Sequence, residues 1–306
     1  MTEQSKTECT GLVDFMNDFV YAANDRKFWY HIPGTNDRWR DMSKQDVVRS
    51  LRALYGLRGT KRKGEESTEV ERALTQIREV KSIDEIAYLL YRKPGIVHYG
   101  GLKVLNLSDV TPVPAINREH PAFKFIESFC LSDRDSDILA KWFFGRYKLA
   151  CSGKSSPGPV LMVEGPSGSG KSCLAAVMAA ALGGRVTYAT DPSELDRKSF
   201  SLILAAQTPL IYMDLPNQDR ASKAELKALQ SIATDVDIRA ERKYYSRALV
   251  LCMHAAVLGG TRLPENLTDW AKTTGLAVLC RLKAAKPSWY EYLQVMEKLG
   301  KVETGR

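Results

Sequence analysis

Residues 159–174 read PVLMVEGPSGSGKSCL, an apolar run that climbs into a glycine-rich loop and leaves it through a lysine, a serine and an alanine-rich tail. The segment Gly165-Pro166-Ser167-Gly168-Ser169-Gly170-Lys171-Ser172 fits G-x-x-x-x-G-K-[ST] in full. Its surroundings match the motif's mechanics, with a strand-like run before it and a helix-like run, CLAAVMAAALGG, after it. Glycines let the backbone curl until its N–H groups face phosphate oxygens, and a helix amino terminus beneath them adds partial positive charge. Lys171 is then placed to reach β- and γ-phosphates, the Ser172 hydroxyl to hold magnesium, and Cys173 to close the set of loop contacts. The reading predicts a site for ATP or GTP with Mg2+. A fortuitous glycine loop is the alternative, and the intact order of strand, loop and helix weighs against it.

Such a loop draws a carboxylate from the end of a neighbouring strand to serve the metal. Asp214, which closes PLIYMD, is the candidate, against the alternative of a surface aspartate capping a strand. Motor ATPases commonly follow this Asp with a Glu that polarises the attacking water. Here Leu215 and Pro216 follow, and Asp219 and Glu225 stand farther along, so either another acid substitutes or hydrolysis is weak. Downstream, DIRAERKYYSRALVL interleaves Arg239, Arg242, Lys243 and Arg247 with two tyrosines, Tyr244 among them. That mixture suits a nucleic-acid strand, through charge neutralisation and base stacking. It suits a solvated hairpin with tyrosines folded onto the core equally well. His254, at the end of the run ALVLCMH, is a candidate γ-phosphate sensor or a satisfied histidine. Arg262 and Arg281 are candidates for an arginine finger acting on a neighbouring subunit's γ-phosphate, or plain surface residues.

The 306-residue chain carries a net charge of +8, and moderate excess positive charge suits a polyanionic partner. No stretch approaches the roughly 18 apolar residues of a membrane span, and MTEQSKTECTG lacks the order of a secretory signal. Six cysteines (9, 130, 151, 173, 252 and 280) form no CxxC pair, which fits buried small hydrophobes in a reducing, cytoplasmic interior.

Along the chain, DFVYAANDRKFWYHI reads as two strands around the turn residues Asn24 and Asp25, and MSKQDVVRSLRALYG as a helix capped by Ser43. Residues 58–69, RGTKRKGEESTE, read as a loop or a disordered insert; SIDEIAYLLYRKPG reads as a short helix, and GIVHYGGLKVLNLSDV as a hairpin. TPVPAINREHP is a proline-rich linker, and the helical stretch after it, capped by Ser132 or Asp133, ends at SGKSSPGP. Strand–loop–helix units follow, with PVLMVE, PLIYMD, ALVLCMH and TTGLAVLC as strand candidates, the pattern of an α/β domain. The division is an amino-terminal α+β domain over 1–110, a linker and helical collar over 111–152, and an ATPase domain over 153–306.

The order GPSGSGKS, Asp214, ERKYYSR, ALVLCMH and Arg281-Leu282, preceded by FVYAANDRKFWYHI, GGLKVLNLSD and HPAFKFIESF…WFFGRYKLA, resembles superfamily 3 helicases. Within them the likeness is to the helicase portion of phage- and poxvirus-type primase-helicases. The resemblance implies a P-loop NTPase (AAA+-like) domain with a parallel sheet and a hexameric ring threading single-stranded or forked DNA. It also implies ATP hydrolysis at subunit interfaces and replication proteins as partners, in the host cytoplasm if the source is viral. Carried over by residue, Lys171 and Ser172 bind phosphate and magnesium, Asp214 serves the metal, and Arg242 and Lys243 touch DNA. Three departures stand out: no acid after Asp214, Met253-His254 where a sensing asparagine is expected, and little chain after Trp289 for a winged-helix extension. No primase carboxylate constellation is evident in the first 110 residues. A hydrolysis-impaired assembly or recruitment module is the second reading. A small-molecule kinase is the third, weakened by the lack of an arginine-rich lid.

Overall fold

The computed structural model describes residues 16–35, 38–153, 157–189, 208–215, 218–235, 237–242, 245–251, 255–284 and 288–300. It divides into two units: residues up to Ala87 with Lys93–Leu107 and a short piece at 244–246, and the remainder.

In the first unit, β1 (Phe19–Ala22) and β2 (Lys27–His31) pair antiparallel around the expected turn. β3 (Trp39–Met42) extends them, and β4 (Ser82–Ile83) joins β1 in parallel. Alternation along β1 sends Phe19 to one face and Val20 and Ala22 to the other, and both faces are covered. The helices α1 (Lys44–Tyr55) and α2 (Glu69–Val80) cover the first face with Val47, Leu51, Val70, Leu74 and Ile77. Ser43 caps α1, Gly56 closes it with φ 65°, and Thr68 and Glu71 form a capping box at the start of α2. The expected hairpin is β6 (Gly95–Tyr99) with β7 (Leu102–Asn106), turned by Gly100 and Gly101, both at positive φ.

SIDEIAYLLYRKPG is not a helix. It forms β4 and then β5 (Glu85–Tyr88), which runs parallel to β7 and is buried at every position. A strand buried on both faces gives a continuous apolar run, and Ile83 and Ile86 happen to fall at helical spacing.

The second unit begins with α3 (Pro121–Glu127) and α4 (Asp133–Ser152), the latter capped by Ser132. α4 steadies the approach to the glycine loop, since Trp142 Nε1 donates to the Pro159 carbonyl at 2.7 Å, one residue before β8 (Val160–Glu164). Next come α5 (Lys171–Ala181), β9 (Val186–Ala189), β10 (Leu210–Asp214) and α6 (Lys223–Thr234). β11 (Asp237–Arg242), β12 (Tyr245–Leu251), β13 (Ala255–Gly260), α7 (Glu265–Thr274), β14 (Ala277–Arg281) and α8 (Trp289–Lys298) follow in chain order, with the first residues of β12 belonging to the first unit.

Five strands form an all-parallel sheet in the order β14-β8-β13-β10-β9. Side chains alternate between its faces. Leu161, Val163, Leu210, Tyr212 and Val257 pack against α3, α4, α5 and α8; Met162, Ile211, Met213 and Leu258 pack against α6 and α7. The fold is α/β, with a smaller β-rich unit before the parallel sheet. No described helix is long and apolar enough to cross a membrane.

Two expectations are corrected here. ALVLCMH does not supply a strand of the parallel sheet: β12 stops at Leu251 and neighbours β11, and the parallel strand is β13, Ala255–Gly260. AAVLGG escapes notice because its small residues lack strand propensity, and packing against Tyr212 demands that smallness at Gly259. Cys151 is exposed on the last turn of α4, whereas Cys130 and Cys280 are buried as expected. Cys9 and Cys252 lie outside the described residues.

Candidate functional site

In a parallel sheet all carboxyl ends share one edge, and loops there converge. At this edge the register sets Arg281 beside Glu164, Glu164 beside Gly260, and Gly259 beside Asp214. The glycine loop leaves β8 directly after Glu164, and Asp214 ends β10, with one strand, β13, between them. Two strand spacings put the two about 10 Å apart, close enough for one metal–triphosphate group to touch both.

Gly168 (φ 77°) and Gly170 (φ 90°) hold the loop in left-handed backbone, which glycine adopts without strain. Gly165 has a packing reason: a Cβ there would lie 2.9 Å from Ser169 Oγ and 3.0 Å from Leu282 Cβ. Gly170 caps α5 without any side-chain hydrogen bond, so the first N–H groups of the helix stay open to an anion. Lys171 folds its ammonium onto the loop, donating to the carbonyls of Gly165 (2.8 Å) and Pro166 (3.0 Å). Burial pulls its pKa below the usual lysine value, and the Asp214 charge opposes that pull. The Ser169 hydroxyl is buried with no hydrogen-bond partner among the described residues. Open helix N–H groups, an orphaned hydroxyl and a lysine resting on carbonyls fit a triphosphate; Ser172 with Asp214 fits its magnesium. Held by Ser172 and Asp214, such an ion would supply charge neutralisation to the phosphates.

Tyr212 is a candidate site residue that motif reading missed. Two positions before Asp214, it shares that residue's strand face. Its hydroxyl donates to Asp214 Oδ1 at 3.3 Å, which orients one of the two expected metal ligands. Burial first, and then the Asp214 charge, push the phenol well above its usual pKa, so it stays a neutral donor. The ring also explains AAVLGG, because a Cβ on Gly259 would meet Tyr212 Oη at 2.1 Å. The period-two spacing of Tyr212 and Asp214 was the available signal.

The remaining candidates divide. Cys173 sits in the first turn of α5, where burial pushes its thiol up to about 12, so it is an inert neighbour of the loop and no nucleophile. Leu215, where a water-polarising acid was sought, is buried, and its N–H bonds to the Gly259 carbonyl. Glu225 cannot substitute, because it is the capping-box acid of α6 and also accepts from Gln218. Asp219 is exposed.

Arg281 pairs with Glu164 of its own chain at 3.4 Å, and Asp135 Oδ1 accepts from its N–H at 2.8 Å. Arg262 follows β13 on the same edge, exposed and without an ion pair among the described residues. Glu164 also accepts from the Leu263 N–H at 3.2 Å, which fixes the turn that presents Arg262. Thr261 is exposed directly after β13, two residues beyond the Gly259 that stands beside Asp214. His254, Lys243 and Tyr244 lie outside the described residues; of Arg239, Arg242 and Arg247 only the strand placement, on β11 and β12, is described.

No family model matches the chain, and no curated protein matches its sequence. Among solved structures, the A form apo structure of the NrS-1 C-terminal region matches with a TM-score of 0.62 at 12% identity, over 94% of this chain and 66% of that one. The apo structure of NrS-1 residues 305–718 matches with 0.62 at 11% identity, over the same shares. A JCV helicase with a bound thiazolopyridine compound matches with 0.37 at 16% identity, over 60% of this chain and 51% of that one, too low to argue from. This chain thus spans 66% of the length of the NrS-1 chains it matches, and what it shares with them is the fold.

Proposed function

We propose that this chain is an ATP-driven DNA translocase or helicase that works as a ring, with hydrolysis at subunit interfaces, in the replication of a phage or mobile element. The observation that carries this reading is the carboxyl edge of the sheet. Lys171 and Ser172 at the start of α5 and Tyr212 and Asp214 on β10 share that edge, and Arg262 stands exposed on it. ATP with Mg2+ is the cofactor: Lys171 and the loop N–H groups hold the phosphates, and Ser172 and Asp214 hold the metal. The segment around ERKYYSR supports a DNA track, because Arg239 and Arg242 fall on β11 and Arg247 on β12, two neighbouring strands, and Lys243 and Tyr244 add a cation and an aromatic ring to the same stretch of sequence. Replication proteins are its expected partners.

A second reading, an ATP-gated assembly or recruitment module with little turnover, is favoured by buried Leu215 and engaged Glu225. One titration tests the site common to both. Mg2+–ATP at about 100 times its Kd stabilises a single-site binder by about 2.7 kcal/mol, read as a rise in Tm. Lys171→Ala should keep its fold and lose that rise; an undiminished rise in the variant would displace the site from this loop.

A further inference from the structure

The amino-terminal unit carries a basic surface that the nucleotide site does not use. Residues 44–64 hold seven Lys and Arg side chains against one acid, Asp46, a formal +6 in a chain whose total is +8. The structure concentrates them. Arg49 and Arg52 stand one turn apart on exposed positions of α1, and with Gly56, Arg58, Gly59 and Thr60 they line a depression of about 670 Å³. Lys61, Arg62 and Lys63 follow along the same loop, all exposed.

The acids that come next are spoken for. Glu65 and Glu69 both pair with Arg58, at 3.1 and 2.7 Å, and Glu71 closes the capping box on Thr68. These contacts hold the three carboxyls below their usual pKa, first through the backbone N–H groups of Arg62, Arg58 and Thr68 respectively. Glu66 is the one acid of this stretch without such a contact among the described residues. Arg58 thereby braces the loop, and the other cations face outward.

Arg52 lies along the loop backbone, its Nε 3.3 Å from where a Gly59 Cβ would stand. The N–H groups of Gly59 and Thr60 have no acceptor among the described residues. Arg49 pairs only with Asp46, in an exposed contact at 3.1 Å that an incoming phosphate can replace at little cost. A guanidinium fork beside open backbone N–H groups is chemistry for phosphate oxygens. A run of five outward cations, longer than any one phosphate needs, matches a chain of phosphates.

We propose that Arg49, Arg52, Lys61, Arg62 and Lys63 form a binding surface for the phosphate backbone of a nucleic-acid strand, independent of base sequence and of bound nucleotide. The proposal does not rest on the motor reading, because its test contains no ATP.

The probe is a fluorescent 20-nucleotide single strand of mixed sequence, its anisotropy followed against salt. Arg52→Ala/Arg62→Ala/Lys63→Ala, all on exposed positions, should weaken binding at least tenfold. It should also flatten the slope of log K against log salt by about 2, since each phosphate contact on a single strand contributes about 0.7. The charge-keeping Arg52→Lys/Arg62→Lys should bind within about threefold of the parent, which separates charge from a packing defect. Unchanged affinity and slope in the triple variant would overturn the proposal, as would equal losses in the lysine variant. So would two other results: displacement of the strand by tripolyphosphate beyond its effect as salt, marking a pocket for a compact anion, or loss of phosphatidylserine-vesicle binding with DNA binding intact.

Discussion

Asp214 does not stand alone at the candidate metal site; the Tyr212 hydroxyl donates to it. Groups that orient metal ligands typically shift metal affinity 10- to 100-fold when removed. Tyr212→Phe should therefore raise the Mg2+ concentration for half-maximal ATP binding about tenfold, while nucleotide binding without metal stays unchanged. An isothermal titration with and without Mg2+ reads both, and an unchanged metal dependence would reduce Tyr212 to a packing residue. At this scale the loop itself was legible, because its residues act through the local backbone that they shape. Tyr212 was not, since its hydroxyl matters only once β10 and α5 are brought together. Glu164 was hidden for the same reason: it ends β8, and its partners Leu263 and Arg281 come from far along the chain.

Among the elements, β13 is the one whose reading changes the account. Its sequence looks too small for a strand, yet it lies between β8 and β10, and Gly259 leaves room for the Tyr212 ring. Gly259→Ala should cost about 1–3 kcal/mol through overpacking and should push the Tyr212 hydroxyl off Asp214. Adding Tyr212→Phe removes the closest clashing atom, so the double variant should be more stable than the sum of the single changes by at least about 0.5 kcal/mol. Urea unfolding of the four proteins checks this; strict additivity would mean that the ring and the glycine do not compete for space. The stretch ALVLCMH misled because a hairpin strand and a buried parallel strand can share one apolar composition. Two helix caps were legible, Ser43 and, with Asp133 as the alternative, Ser132, because a cap is decided within four residues; the Thr68 cap of α2 was passed over inside a charged stretch read as a loop.

For the whole molecule, the proposal of a ring makes a claim about stoichiometry. Arg262 has no ion pair among the described residues, whereas Arg281 meets Glu164 of its own chain in an exposed contact, so Arg262 is the first candidate to reach a neighbour's γ-phosphate. Lys171→Ala and Arg262→Ala should each be inactive as ATPases. Mixed one to one, they should recover about a quarter of parental turnover, since that share of interfaces pairs an intact loop with an intact arginine finger. No recovery, from subunits shown to exchange, would place Arg262 outside the interface chemistry. The assembly was the least legible level, because a ring depends on surfaces that one chain's periodicity does not record.

The central claim, that the phosphate site drives movement on DNA, is tested most directly by steady-state phosphate release with and without single-stranded DNA, using Lys171→Ala as the blank. The account predicts slow release by the protein alone, a several-fold rise with DNA, and neither in the variant. Tight Mg2+–ATP binding by the folded protein, with no release at any DNA concentration, would contradict it and leave the assembly module in its place.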